Sequence, residues 1–183
     1  MGRLKLQMQI TLDGFNPEGQ NDDLSWDEVK DYSCALLDTA DTIAIGRKTA
    51  IDFIPYWDKL AALPDEPWHD VAQQIANARK VVFSKTLDRS DWRNAVVETG
   101  ELVEAIMRLK RENAKDIIVY GGIAFVSSLV KAHLIDEFHL FVNPVALGKG
   151  KSIFSGLDSP LPLKLEKSIR CNSGHVLLHY GLR

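Results

Sequence analysis

Leu4, Leu6, Met8, Ile10 and Leu12 recur at every second position, with Lys5, Gln7, Gln9 and Thr11 between them. That alternation predicts a strand over 4–12 with one apolar and one polar face. The turn-rich stretch Asp13-Gly14-Phe15-Asn16-Pro17-Glu18-Gly19 ends it. Ser25-Trp26-Asp27-Glu28 has the S-x-x-E form of a capping box, and the helix that follows keeps Val29, Ser33, Leu36 and Ala40 on one stripe. On the same helical wheel Asp27, Asp31 and Asp38 fall opposite that stripe, with Glu28 and Lys30 at its flanks.

Thr42 to Ile45, closed by Gly46, reads as a buried strand. A helical turn is expected over 49–53, a loop over the proline-containing 54–67, and a short helix over 70–78. Further strands are expected at 81–83 and 95–97, a helix at 101–113, and a strongly apolar strand at 117–120 broken by Gly121-Gly122. A helix over 123–132 follows, then strands at 138–142, 163–169 and 176–180, the last two joined by the turn Asn172-Ser173-Gly174. Strands alternate with helices to about residue 135 and then follow one another. The order predicts an α/β sheet, parallel in its first part with an antiparallel edge, in one domain over 1–183.

Composition narrows the class. The chain has 183 residues, 45% hydrophobic and 26% charged, with a formal charge of −3, which argues against a basic nucleic-acid-binding surface. No run approaches the length of a membrane span. The N-terminal segment lacks the apolar block of a signal peptide, so a cytoplasmic location is expected. Cys34 and Cys171 are too few for a disulfide framework and fit no metal-site spacing; His175 and His179 could share a strand face but lack motif companions, and no metal is expected.

Three strand ends carry candidate chemistry. One runs into Gly46-Arg47-Lys48-Thr49, a second into Ser84-Lys85, and a third through Gly121-Gly122 directly into the helix that begins Ile123-Ala124. Glycines let a ligand approach the backbone, and a helix N-terminus offers N–H groups to an anion. A dinucleotide with a 2′-phosphate needs separate sites for its pyrophosphate and its extra phosphate, and arginine and lysine suit the latter. Gly150-Lys151-Ser152 is no Walker loop, because the position five before Gly150 is Val145; no third glycine completes a Rossmann fingerprint after Gly121-Gly122.

These motifs, Ile43 to Thr49, Lys80 to Lys85 and Asp116 to Gly122, occur in the order and rough spacing of the dihydrofolate reductase fold. Ile10 to Phe15, Leu134 to Glu137 and Asn143 to Gly150 more closely resemble one branch. That branch is the reductase domain of the bifunctional riboflavin-biosynthesis deaminase–reductase and its stand-alone relatives. The resemblance implies a three-layer fold: a mostly parallel mixed sheet with helices on both faces and an antiparallel C-terminal hairpin. It implies NADPH across the strand ends, with Gly46, Arg47, Lys48, Thr49, Ser84 and Lys85 toward its phosphates and Gly121, Gly122, Ile123 and Ala124 at the pyrophosphate. Nicotinamide would lie near Gln9 and Thr11, and Asp13 would border the substrate pocket. The inward acid with which dihydrofolate reductases hold a pterin is not evident on the first helix, and no zinc deaminase signature appears.

The expected function is therefore an NADPH-dependent reductase of a small polar substrate, most like 5-amino-6-(5-phosphoribosylamino)uracil. The alternatives are dihydrofolate reduction with Glu28 turned inward, or a non-catalytic nucleotide-binding relative. No catalytic residue is assigned. The segments 16–24 and 54–67 are expected to be pocket loops. A homodimer is implied by the resemblance and by Phe138, Leu140 and Val142 lying on one strand face with His139 and Phe141 on the other, which invites a second subunit as cover.

Overall fold

The computed structural model describes residues 1–17 and 26–183, and the backbone alone of Trp26 and Asp27. The expected capping box at Ser25–Glu28 and most of the 16–24 segment thus lie outside the described residues. The elements run β1 (Leu4–Thr11), α1 (Trp26–Leu37), β2 (Ala40–Gly46), α2 (Arg47–Ala61), α3 (His69–Asn77), β3 (Arg79–Phe83), β4 (Ala95–Glu98), α4 (Leu102–Glu112), β5 (Asp116–Val119), α5 (Ile123–Lys131), β6 (Glu137–Asn143), β7 (Leu163–Arg170) and β8 (Val176–Leu182). One eight-stranded sheet has the order β4-β3-β2-β5-β1-β6-β8-β7. The pairs from β4 through β6 are parallel, and β8 is antiparallel to both β6 and β7. This is the α/β class and mixed sheet that the order of elements predicts.

Alternation along the inner strands feeds two cores. Leu4, Leu6, Ala44, Val81, Ile117, Val119, Phe138 and Leu140 pack with Ile106 and Leu109 of α4 and with Val126, Leu129 and Val130 of α5. On the opposite face Ile43, Ile45, Val82 and Ile118 meet Leu36 and Leu37 of α1, Ala50 and Ile54 of α2, and Val71 and Ile75 of α3. Helices therefore cover both faces, as a parallel sheet requires.

Several expectations are corrected. The polar face of β1 is buried too, at Lys5, Gln7 and Thr11, because β1 lies between β5 and β6 beneath α1. Leu12, expected to extend the apolar face, is exposed. Ala40 begins β2 instead of continuing the α1 stripe. The expected turn at 49–53 and loop at 54–67 are largely one helix, α2, with Pro55 inside it on an exposed position. Ala50, Phe53, Ile54 and Trp57 recur at helical spacing and pack into the second core, and their burial outweighs the one backbone hydrogen bond lost at proline.

The sequence-derived hint for a dimer also dissolves. β6 is an inner strand, not an edge, and both its faces are covered within the chain. Phe138 and Leu140 enter the first core, while Phe141 packs with Val29 and Leu177, and with Tyr32 edge-on at 5.7 Å. Among the described residues no helix is long and apolar enough to cross a membrane.

Candidate functional site

β3, β2 and β5 are neighbours, so their carboxyl ends stand side by side. Their continuations line one groove of about 900 Å³ that holds Gly46, Arg47, Lys48, Thr49, Ser84, Lys85, Gly121, Gly122, Ile123 and Ala124 together. All ten residues expected at the cofactor's phosphates therefore converge. α2 and α5 both start in this groove, capped by Gly46 and Gly122, with no side-chain cap and no acid in either first turn. Two helix N-termini thus leave N–H groups and positive dipole ends facing the same space.

Gly121 has φ +141, a conformation that favours glycine. Gly122 has an ordinary φ of −80, but a Cβ there would collide with the Thr49 hydroxyl. The cradle is shaped so that only bare backbone fits, which suits a pyrophosphate lying against it.

The groove is cationic. Arg47, Lys48, Lys85 and Lys151 line it, and no carboxylate does among the described residues. Lys85 is also engaged outside it, donating to Thr99 O at 3.0 Å, Gly100 O at 3.1 Å and Glu101 Oε1 at 3.1 Å. The Ser84 hydroxyl oxygen accepts from the N–H groups of Thr86 and Leu87 at 3.1 and 2.9 Å, and so fixes the turn after β3. Lys151, which the sequence places only in a rejected Walker-like motif, reaches the groove because two loops are stitched together. Leu12 N donates to Val145 O and Asn16 N to Lys151 O, while Leu147 N and Gly148 N donate to Asp13 Oδ2 at 3.0 and 2.7 Å.

A second cavity, of about 760 Å³, adjoins the groove and shares Met8, Asn16 and Tyr120 with it. It lies between β1 and α1. Gln7 and Gln9 of β1, Val29 and Ser33 of α1, Tyr56 and Trp57 of α2, Trp68, and Phe141 of β6 contribute walls. No Asp, Glu, Lys, Arg or His lines it among the described residues. Burial raises the Tyr120 phenol well above its ordinary value, so this wall group stays protonated. Tyr56 and Trp57 are missed in the sequence because Pro55 masks the helical signal of α2, and Trp68 because it falls between the expected loop at 54–67 and the expected helix at 70–78.

The four substrate-pocket candidates separate. Gln9 lines the cavity. Thr11 is fully buried and donates to Asp13 Oδ1 at 2.6 Å. Asp13 is exposed; hydrogen bonds from Thr11 and then Gly148 hold its carboxyl below its ordinary value, and its task is to pin the 147–148 loop. Glu28 accepts from Asn172 N and Nδ2 at 3.0 Å, so it anchors the β7–β8 turn to α1. The inward turn of Glu28 that dihydrofolate reduction required does not occur.

Beside the cavity, on the same sheet face, sits a polar cluster. Glu137 ion-pairs with Arg3 and lies 3.3 Å from His139 Nε2 and 3.2 Å from His179 Nε2. The Tyr32 hydroxyl lies 2.6 Å from His139 Nδ1. The His139 hydrogen bond, with Lys5 and Arg3, pulls the Glu137 carboxyl down to about 2. Burial keeps His139 below its ordinary value and pushes Tyr32 up to about 12. A neutral His139 that donates from Nε2 to Glu137 and accepts from Tyr32 at Nδ1 satisfies all three groups. Among the described residues the metal-spaced trio is Glu137, His139 and His179, with ligand atoms within 4.8 Å, not His175 with His179. Arg3 and Lys5 already neutralise its carboxylate.

Comparison with known proteins places this architecture. The uncharacterized protein YyaP of Bacillus subtilis (strain 168) is 30% identical over 183 residues, covering 97% of this chain and 94% of that one. A diaminohydroxyphosphoribosylaminopyrimidine deaminase/5-amino-6-(5-phosphoribosylamino)uracil reductase from Thermotoga maritima superposes on 100% of this chain and 57% of its own, with a TM-score of 0.67 at 19% identity. Dihydrofolate reductase from Enterococcus faecalis, complexed with NADP(H), superposes on 100% of this chain and 97% of its own, with a TM-score of 0.61 at 16% identity. At those identities the two structures establish a common fold, the dihydrofolate reductase-like one. The family model for the RibD C-terminal domain matches residues 3–177, and with nearly the whole chain inside that match, the protein belongs to the RibD C-terminal domain family.

Proposed function

We propose that the protein is an NADPH-dependent reductase acting on a pyrimidine-like heterocycle, with residues 1–183 as one domain. One observation carries the reading: a cationic, glycine-floored groove at three parallel strand ends shares Met8, Asn16 and Tyr120 with an aromatic cavity. The α2 and α5 N-termini would hold the pyrophosphate of a dinucleotide, and Arg47 with the lysines of the groove would hold its 2′-phosphate. The cofactor supplies the hydride. The chain positions the acceptor ring, excludes water with Trp57, Trp68 and Phe141, and offers Gln7, Gln9 and Ser33 as neutral hydrogen-bonding partners. Membership of the RibD C-terminal domain family and the reductase named in the Thermotoga maritima structure support the pyrimidine class.

The purified protein, offered NADPH and 5-amino-6-(ribosylamino)uracil or its 5′-phosphate, is expected to oxidise NADPH only when the pyrimidine is present. NADPH binding without oxidation would leave a nucleotide-binding protein instead, and oxidation with dihydrofolate alone would return the folate alternative.

A homodimer is part of the same reading, supported by the resemblance to relatives that pair through late strands and by β7, a largely exposed edge strand. Light scattering is expected to give twice the single-chain mass of 20.5 kDa; the single-chain value would refute the dimer.

A further inference from the structure

We propose that Glu137, His139 and His179 form a binding site for one divalent transition-metal ion of the zinc class, set between β6 and β8. The site stands apart from the reductase reading, because none of the three residues lines the cationic groove or the aromatic cavity.

Strand register builds the trio. Glu137 and His139 stand two apart on β6, so their side chains share a face. Antiparallel pairing sets His179 of β8 directly opposite His139, and side chains so opposed are near neighbours. The ligands thus join only through pairing of the strands, and no local motif announces them. The two imidazoles stack with centroids 4.2 Å apart and planes inclined by 20°. Their Nε2 atoms approach a single oxygen, Glu137 Oε2, at 3.3 and 3.2 Å. A tetrahedral ion with bonds of about 2.0–2.1 Å holds its ligand atoms about 3.3–3.4 Å apart, so both oxygen–nitrogen spacings already suit one. Two imidazoles and a carboxylate oxygen favour zinc and its neighbours, whereas magnesium and calcium take oxygen ligands.

The surrounding groups hold the site without filling it. Arg3 pairs with Glu137 Oε1, the oxygen turned away from the imidazoles. Lys5 Nζ lies 4.0 Å from Oε2 but 2.7 Å from Asp116. The positive charge of both lowers the affinity for a cation but leaves Oε2 open. The Tyr32 hydroxyl, 2.6 Å from His139 Nδ1, orients that ring. On metal binding the His139 proton passes from Nε2 to Nδ1 and is donated to the Tyr32 oxygen, which frees Nε2 for the ion.

His179 points most directly to a ligand. Its Nε2 is buried and makes no hydrogen bond among the described residues, despite its closeness to Oε2. An ion would satisfy this nitrogen, whose isolation otherwise costs stability. Its side chain is also the most exposed of the three, at 21% against 10% for Glu137 and 3% for His139. It can therefore turn out of the stack to admit the ion, with water as the fourth ligand on that side. The bound ion would clip β8, and with it the edge strand β7, to β6.

The test uses tag-free protein stripped with a chelator and titrated with zinc by calorimetry. One zinc per chain should bind, and zinc at a hundred times its Kd should raise Tm by about 5–10 °C. Cobalt in place of zinc should give the visible absorption of a four-coordinate site, without the sulfur charge-transfer band that Cys34 or Cys171 would add. His179→Ala should lose this equivalent, with zinc affinity lower by about 100-fold or more. If that variant fails to fold, the cobalt spectrum of the parent decides. No zinc bound, a thiolate cobalt spectrum, or parent-like zinc affinity in His179→Ala overturns the proposal.

Discussion

Gln7 on β1 donates from Nε2 to the Ser33 hydroxyl on α1 at 2.6 Å, and that hydroxyl donates onward to Val29 O at 2.7 Å. The central strand is thereby tied to the first helix at the wall of the aromatic cavity, through two residues that are both buried. Among the described residues the Gln7 Oε1 has no partner, and Ser33 is the side chain that orients this amide. Ser33→Ala removes the acceptor and orphans a buried donor, and unfolding by denaturant should show a loss of about 1–3 kcal/mol. A midpoint equal to the parent's would mean that water replaces the hydroxyl at no cost.

The groove was legible in the sequence because its parts are local. Each strand end is followed within a few residues by a glycine or a hydroxyl and then by a cation, a helix start or both, as in Ile45-Gly46-Arg47-Lys48-Thr49. Parallel pairing of β3, β2 and β5 then brings three local motifs together without further instruction. The cavity was not legible, because residues 7, 9, 33, 57, 68, 120 and 141 meet only through long-range packing. Prolines concealed α2, whose helical spacing of apolar residues is the signal that could have revealed Tyr56 and Trp57. Polar residues on the buried strand β1 point to a ligand. Only Gln7 and Gln9 reach the cavity, whereas Lys5 pairs with Asp116 at 2.7 Å and Thr11 orders the following turn. Asp13 and Glu28 were read as site acids, yet both hold loops, since carboxylates that accept backbone N–H groups serve chain geometry as readily as chemistry.

The fit of Gly122 beneath Thr49 makes a double-variant prediction. Gly122→Ala puts a methyl group into the Thr49 hydroxyl, while the Thr49 Cβ lies 3.8 Å from the same point, an ordinary contact. The single variant should lose about 1–3 kcal/mol of stability, and Thr49→Ala placed on top of it should recover most of that loss. NADPH affinity should fall in Gly122→Ala and stay low in the pair, since the added methyl still stands where the phosphates pass. Additive stability losses in the two variants would show that the contact relaxes elsewhere.

Arg47 and Lys85 both line the groove, but they are not equivalent. Lys85 Nζ already has three oxygen partners within 3.1 Å at residues 99–101. An arginine released from a 2′-phosphate costs about 1.5–3 kcal/mol, or one to two decades in Kd. Arg47→Ala should therefore raise the NADPH Kd by about 10–100-fold and the NADH Kd little. Lys85→Ala should change the NADPH Kd by less than about threefold. Dissociation constants from tryptophan fluorescence check both; a Lys85 effect as large as that of Arg47 would show that the lysine turns from residues 99–101 to the cofactor.

Acid should destabilise the protein in two stages that share the Glu137–His139 pair. The unfolded carboxyl of Glu137 titrates near 4.5 and the folded one near 2, held down by His139, Lys5 and Arg3. Its contribution, on the order of 3 kcal/mol for a side chain this buried, is fully present above about pH 4.5 and is lost as pH falls toward 2. His139 acts earlier with the same sign. Burial lowers its folded pKa below the ordinary 6.5, so the unfolded chain takes up a proton first and stability declines as pH drops through that value. Urea unfolding measured from pH 8 to pH 2 should show both declines. His139→Gln should flatten the upper one, and Glu137→Gln the lower. Glu137→Gln also removes one of the two carboxylates that face Arg3 and Lys5 and leaves them Asp116, which lowers stability at every pH, so the slope and not the level is the measure. A Glu137→Gln profile as steep as the parent's below pH 4.5 would assign acid sensitivity to other carboxylates.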